Sequence, residues 1–208
     1  MKQRVWFTGI ATLAVVAISA CSGGPKPTAT AEREAIKEPA KAPEIVSAKL
    51  AFYELYKPAR AWATDLLALS VSSGEVPGFQ NENGKAGMWT VVFVSPSRRE
   101  ARIFTYAIAD SGTEIRKGVT VGNAQPWAGS TPTSKAFSDS EFMVDSTDAY
   151  QTASTIAARW LKAHPNQKAT LRLGSASRYP APIWYVMWGT NKNGYAALVN
   201  AVTGAAAK

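Results

Sequence analysis

The chain has 208 residues, of which 46% are hydrophobic and 18% charged, enough apolar material for one substantial domain or two small ones with a real core. Its formal charge of +8 is modestly basic, which falls short of a nucleic-acid signature. One cysteine, Cys21, excludes an internal disulfide, and one histidine, His164, leaves neither Cys/His metal spacing nor a Ser-His-Asp set of the usual kind.

Lys2 and Arg4 precede an apolar run from Val5 to Ile18, which closes on Ser19, Ala20 and Cys21, the three-part pattern of an export signal. The run falls short of the roughly 20 apolar residues that a spanning helix needs, so residues 1–20 are expected to be removed as a signal peptide. The run Ile18-Ser19-Ala20-Cys21 resembles the lipobox of bacterial lipoproteins. That resemblance implies that Cys21 becomes the mature amino terminus, carries acyl chains such as palmitate, and makes the membrane the first partner. Two or more chains hold a protein stably on a bilayer where one does not. Ser22, in place of an Asp, implies the outer membrane in a host that has one. The folded part would then face the periplasm or another extracytoplasmic space of the cell envelope, away from nucleic acid. An ordinary secretory signal with an incidental cysteine, or an uncleaved anchor, is the alternative reading.

From residue 21 to 44 the chain turns to Gly, Pro, Ala and Thr with alternating charge, including Pro25, Pro27, Pro39 and Pro43, and cannot bury a core. It reads as a tether, and Pro-rich chain of this kind extends by about 3.1 Å per residue. Its basic and acidic residues cancel. With Lys2 and Arg4 assigned to the signal, the globular remainder keeps about +6 of the total charge.

Within that remainder, Phe52, Tyr56, Ala59, Trp62, Ala63, Leu66 and Leu67 follow helical spacing, interrupted by Pro58, which predicts a kink or restart. Met88 to Ser95 predicts a strand, Ser95-Pro96-Ser97 a turn, Arg102 to Ala109 the return strand, and Val119 to Val121 a further one. Tyr150, Ala153, Ile156, Ala157, Trp160 and Leu161 predict a second helix, capped by Asp145 or Ser146, with Asp148 in its first turn, and ended by Pro165. Ala169 to Leu173 predicts a strand. A last hairpin turns at Asn191-Lys192-Asn193-Gly194, where the Asn-Gly pair is expected to supply positive φ angles. Met88-Trp89-Thr90-Val91-Val92-Phe93-Val94-Ser95 lies over Ile183-Trp184-Tyr185-Val186-Met187-Trp188-Gly189-Thr190 without a gap, at an offset of 95 residues. This internal repeat predicts two units, at 45–125 and 126–208.

The ending Pro182-Ile183-Trp184-Tyr185-Val186, a turn, then Ala196 through Gly204, resembles the PepSY domain over roughly residues 147–208, and the first half resembles a divergent copy through the repeat. The resemblance implies an α+β fold of two tandem units, each a helix packed on an antiparallel β-sheet, with or without a shared core. It also implies an extracytoplasmic setting. Some PepSY-like domains occur in propeptides of secreted peptidases, where an inhibitory role is proposed, but this chain carries no peptidase domain.

His164 beside Pro165 is expected to cap a helix end rather than catalyse. Asp139, Glu141, Asp145 and Asp148 form the densest group of acids, and capping accounts for Asp145 and Asp148. Gly84 and Gly87 lack the following helix that a phosphate loop requires. No catalytic residue, metal site or cofactor is assigned. The candidate ligand-binding residues are Arg98, Arg99 and Lys192 in the two hairpin turns, which could meet one anionic surface, and Trp184 and Tyr185 on opposite faces of one strand, either of which could stack on a peptide or sugar. The expected function is non-catalytic binding of a protein, peptide or envelope polymer. The competing readings are an envelope hydrolase using paired carboxylates and a structural or assembly lipoprotein.

Overall fold

The computed structural model describes residues 42–190 and 192–207. Cys21, the predicted signal and nearly all of the predicted tether lie outside the described residues. The Ser47 side chain opens the first helix, α1 (Ala48–Trp62), by accepting from the Leu50 amide. Of the expected kink or restart at Pro58, the restart does not occur. Proline removes one backbone donor, and here it sits near the end of the helix, which runs a further turn to Trp62. The helix stops before Leu66, and Leu67 begins a strand that the helical spacing had concealed, β1 (Leu67–Gly74).

The remaining strands are β2 (Met88–Ser95), β3 (Glu100–Ala107), β4 (Gly118–Pro126), β5 (Ala169–Gly174), β6 (Ile183–Trp188) and β7 (Tyr195–Asn200). Between β4 and β5 lie α2 (Ser146–Ile156) and α3 (Ala158–Ala163), separated by a non-helical residue, Ala157. The strands form one seven-stranded sheet in the order β4-β3-β2-β1-β5-β6-β7, and every pairing is antiparallel. The fold is therefore α+β. Its two three-strand meanders, β1-β2-β3 and β5-β6-β7, meet at the centre through Ser70 to Ser72 opposite Arg172 to Gly174.

The 95-residue repeat superposes β2 on β6, the middle strands of these meanders. Three antiparallel steps separate them, so they run in opposite directions and the halves are related by an approximate two-fold axis. The helices α1 and α2 lie on one face of the sheet. There, Phe52, Phe93 and Phe104 from the first half and Phe142, Leu173, Trp184 and Trp188 from the second belong to one continuous core. Trp89 and Trp184, repeat partners, are both fully buried and meet edge to face at 6.4 Å between ring centroids. Each donates its indole N–H over 2.9 Å to a carbonyl just before a helix, Trp89 to Val46 and Trp184 to Val144. A buried indole of 150–250 Å² contributes roughly 4–6 kcal/mol at about 25 cal/mol per Å².

The helix starts also meet. Ser146 Oγ accepts from the Ala48 amide and Asp145 Oδ1 from the Lys49 amide, both at 2.9 Å, while Asp145 accepts from Ser146 N at 2.7 Å. The first residues of α2 therefore satisfy orphan donors of both helices. Gly84, at φ +77°, approaches this junction so closely that a Cβ there would lie 2.3 Å from the Ser146 carbonyl oxygen.

Candidate functional site

The β2–β3 turn carries Arg98 and Arg99, both exposed, with Arg99 at φ +55°. Asp65 anchors this turn. Its carboxylate accepts from Ser95 Oγ at 2.6 Å and from the Ser97 amide at 2.7 Å, and these bonds, the Ser95 hydroxyl first, lower its pKa from 3.8 to about 2. Lys192 is exposed in the β6–β7 turn. Because β2 and β6 run in opposite directions, the two turns lie at opposite ends of the sheet, and the expected joint basic surface does not form. The expected turn geometry is also corrected. Neither Asn193 nor Gly194 has a positive φ, and among the described residues of the turn the left-handed one is Gly189 at φ +74°. Six residues separate β6 from β7, a wider loop than a two-residue hairpin, and Gly194 is needed there because a Cβ would lie 2.4 Å from the Thr190 carbonyl oxygen.

Trp184 is corrected as a surface ligand. It faces the helices with no exposure, against Trp89 and Phe142, so no external ring or sugar reaches it. Tyr185 points to the other side of β6 and is half-buried. His164 stacks on Trp160 at 4.2 Å, with Nδ1 2.9 Å from the Trp160 carbonyl oxygen. Among the acids, Glu141 accepts from the Ser138 amide and Asp139 from the Ser140 amide. Asp148 borders a separate polar depression with Asn83, Lys85 and Tyr150.

Among the described residues, the sheet face turned away from α1 and α2 carries no helix. Register places Thr105, Thr90, Ser72, Arg172, Tyr185 and Leu198 in one row across β3, β2, β1, β5, β6 and β7. In the first half, Thr90 and Thr105 hydrogen-bond each other at 3.3 Å. In the second half Tyr185 takes the place of Thr90 and Arg172 that of Ser72, and there Arg172 and Tyr185 border a depression of about 270 Å³ completed by Leu69, Thr133, Ser134, Gly174, Ser175 and Met187. Leu69 joins this rim because β1 bulges between Ala68 and Ser70.

Glu100 is the sole acid in the seven strands, at the far end of β3, and the two strand arginines have separate fates. Arg102 lies on the helix side, with its guanidinium over the Trp62 ring at 5.6 Å and Nε donating to the Gly122 carbonyl. Arg172 is exposed and, among the described residues, has no ion-pair partner. Arg178, in the turn before β6, lies over the Tyr179 ring at 4.7 Å and within reach of the Tyr185 hydroxyl, which with Tyr179 raises its pKa above the ordinary arginine value. Arg172 and Arg178 were absent from the sequence candidates. The available signal was the single charge in the otherwise neutral strand Ala169–Gly174.

The class defined by this geometry is an α+β protein with one antiparallel sheet, helices on one face and an aromatic and basic depression on the other. No family model matches the chain, and no curated protein matches it in sequence. Among solved structures it is similar to a protein of Clostridium difficile 630 described as a candidate lipoprotein, with 12% identity and a TM-score of 0.44, over 76% of this chain and 90% of that one. No helix among the described residues is long and apolar enough to cross a membrane.

Proposed function

We propose that the chain is a lipid-anchored protein of the bacterial cell envelope, held through Cys21, whose folded part binds a protein, peptide or envelope polymer without catalysing a reaction. The lipobox-like run before Cys21 and the charge-balanced tether support the anchor. The two helix-on-sheet halves are read as tandem PepSY-like units sharing one core, a reading that rests on the sequence resemblance and the 95-residue repeat. In a host with two membranes, Ser22 favours the outer one.

One observation carries the binding reading: a seven-stranded sheet has helices on one face, and its other face presents Ile103 and Met187 to solvent, 49% and 36% exposed, beside half-buried Val92 and Tyr185. Partly exposed apolar surface around a basic and aromatic depression is the pattern of an interaction site. The test is site-specific photocrosslinking in living cells from Val92 and Leu198 on this face, with Tyr53 on the outer side of α1 as control. Discrete adducts are expected from the sheet face and not from Tyr53. Identical adducts from all three positions, or none from the sheet, overturn the reading. For the anchor, Cys21→Ser is expected to release the protein from membranes; unchanged retention and electrophoretic mobility refute lipidation.

A further inference from the structure

The approximate two-fold axis allows each half of the sheet to serve as the control for the other. At the equivalent cross-strand positions the first half has Ser72 opposite Thr90, and the second has Arg172 opposite Tyr185. The first pair is small and neutral, and Thr90 is already bonded to Thr105. The second places a guanidinium and a phenol side by side, since directly opposed residues in an antiparallel pair have Cβ atoms about 4.5–5.5 Å apart. The fold therefore does not require Arg172 and Tyr185 at these places, because the same backbone is built without them in the other half.

Three further features converge on the same spot. Arg178, outside the lining of the depression itself, brings a second guanidinium within reach of the Tyr185 hydroxyl at its border and lies over the Tyr179 ring. No lining residue of the depression is acidic, and Arg172 has no ion-pair partner among the described residues, so no described acid compensates the positive charge here. Leu69 and Met187 provide apolar surface next to the charge. Guanidinium groups match the planar or tetrahedral oxygens of carboxylates and phosphates, donating two parallel hydrogen bonds to either.

We propose that Arg172, Arg178 and Tyr185 form a binding site for an oxyanion, carboxylate or phosphate, borne on an apolar stem that lies over Leu69 and Met187. The site rests on the reading of this sheet face as the binding face and names the chemistry it selects. Thr133 and Ser134, from the segment between β4 and α2, add hydroxyls at the rim. Carboxylate and phosphate share this recognition chemistry, and the stem separates the intended ligand from a free inorganic ion.

The test measures binding of phenylacetate, phenyl phosphate and neutral phenylacetamide to the full chain by titration calorimetry at low ionic strength. At least one of the two anions is expected to bind with an affinity on the order of 1 mM or tighter, and phenylacetamide at least about tenfold more weakly. Whichever anion binds better identifies the carboxylate or phosphate source. Arg172→Gln and Arg178→Gln are each expected to weaken the anion about tenfold with an unchanged melting temperature, and Arg172→Lys to recover part of the loss, because it restores charge without the fork. Equal binding of phenylacetamide, absence of anion binding at about 10 mM, or unchanged affinity in both Gln variants overturns the proposal. If photocrosslinking from Val92 and Leu198 succeeds while the anions fail, the oxyanion chemistry is wrong and the binding face stands. If both fail, the face itself is wrong.

Discussion

The two halves of this sheet keep their buried layer and differ at the periphery. Trp89 and Trp184 occupy equivalent strands, donate the same indole hydrogen bond to a residue just before a helix, and touch each other near the axis. Outside that layer the correspondence ends. The first half extends the sheet by β4, whereas the second folds its tail back so that Ala206 bridges Val199 on β7. Its helix is continuous through Pro58, whereas the second breaks at Ala157. Its open face pairs its own hydroxyls, whereas the second half's open face presents beside a tyrosine an arginine with no ion-pair partner among the described residues. Packing constrains the inner positions because interiors are close-packed and every volume change is felt, while outward positions are free to acquire binding chemistry.

The sharpest way to break this comparison is at the tryptophans. Trp89→Ala and Trp184→Ala are each expected to destabilise by about 3–5 kcal/mol, measured by urea denaturation followed by circular dichroism. If the buried layer is equivalent, the two losses agree to within about 1 kcal/mol, and because the rings touch, the double variant departs from additivity by at least about 0.5 kcal/mol. Losses that are unequal and strictly additive would show two independent cores.

The helix starts should give a smaller and unequal effect. Ser146→Ala removes a fully buried hydroxyl that accepts from Ala48 N and is expected to cost about 1–3 kcal/mol, whereas Ser47→Ala removes a long bond of 3.5 Å and should cost about 0.5 kcal/mol. Equal costs would mean that the shared junction adds nothing to ordinary capping.

The smallest effect lies in the first half's turn. The folded state holds the Asp65 pKa near 2, below its ordinary 3.8, so between these values the unfolded chain binds more protons and stability rises with pH. The contribution is complete above about pH 4 and disappears as pH falls through 2. Asp65→Asn is expected to flatten that part of an acid-unfolding profile. A profile that keeps its slope assigns the acid limb to other carboxylates.

The repeat made much of the fold legible, since β2, β3, β5, β6 and the cap at Asp145 all follow from spacing and local chemistry. β1 was concealed for two reasons. Leu66 and Leu67 continue the helical spacing of α1, and the bulge near Ala68 breaks the alternation that would have marked Leu67–Gly74 as a strand. The relation between the hairpin turns was also out of reach. A repeat in sequence reads in one direction, whereas the antiparallel β1–β5 pairing turns the second unit end over end and sends Lys192 away from Arg98 and Arg99. Tyr185 was recognisable from strand alternation; Arg172 became meaningful only once register placed it opposite Tyr185 and showed the neutral Ser72–Thr90 pair in the other half.

The junction of the helix starts also bears on the order in which the protein is made. The hydroxyl that receives the Ala48 amide belongs to Ser146, 98 residues later in the chain. At a synthesis rate of about 5–20 residues per second, the residues of α1 precede their partner by roughly 5–20 s. During that interval their first donors face solvent or whatever escorts the nascent chain, and Trp89 waits with an unmatched flank for Trp184. The first half is thus committed to a late finish, and its final form is set when the second half arrives.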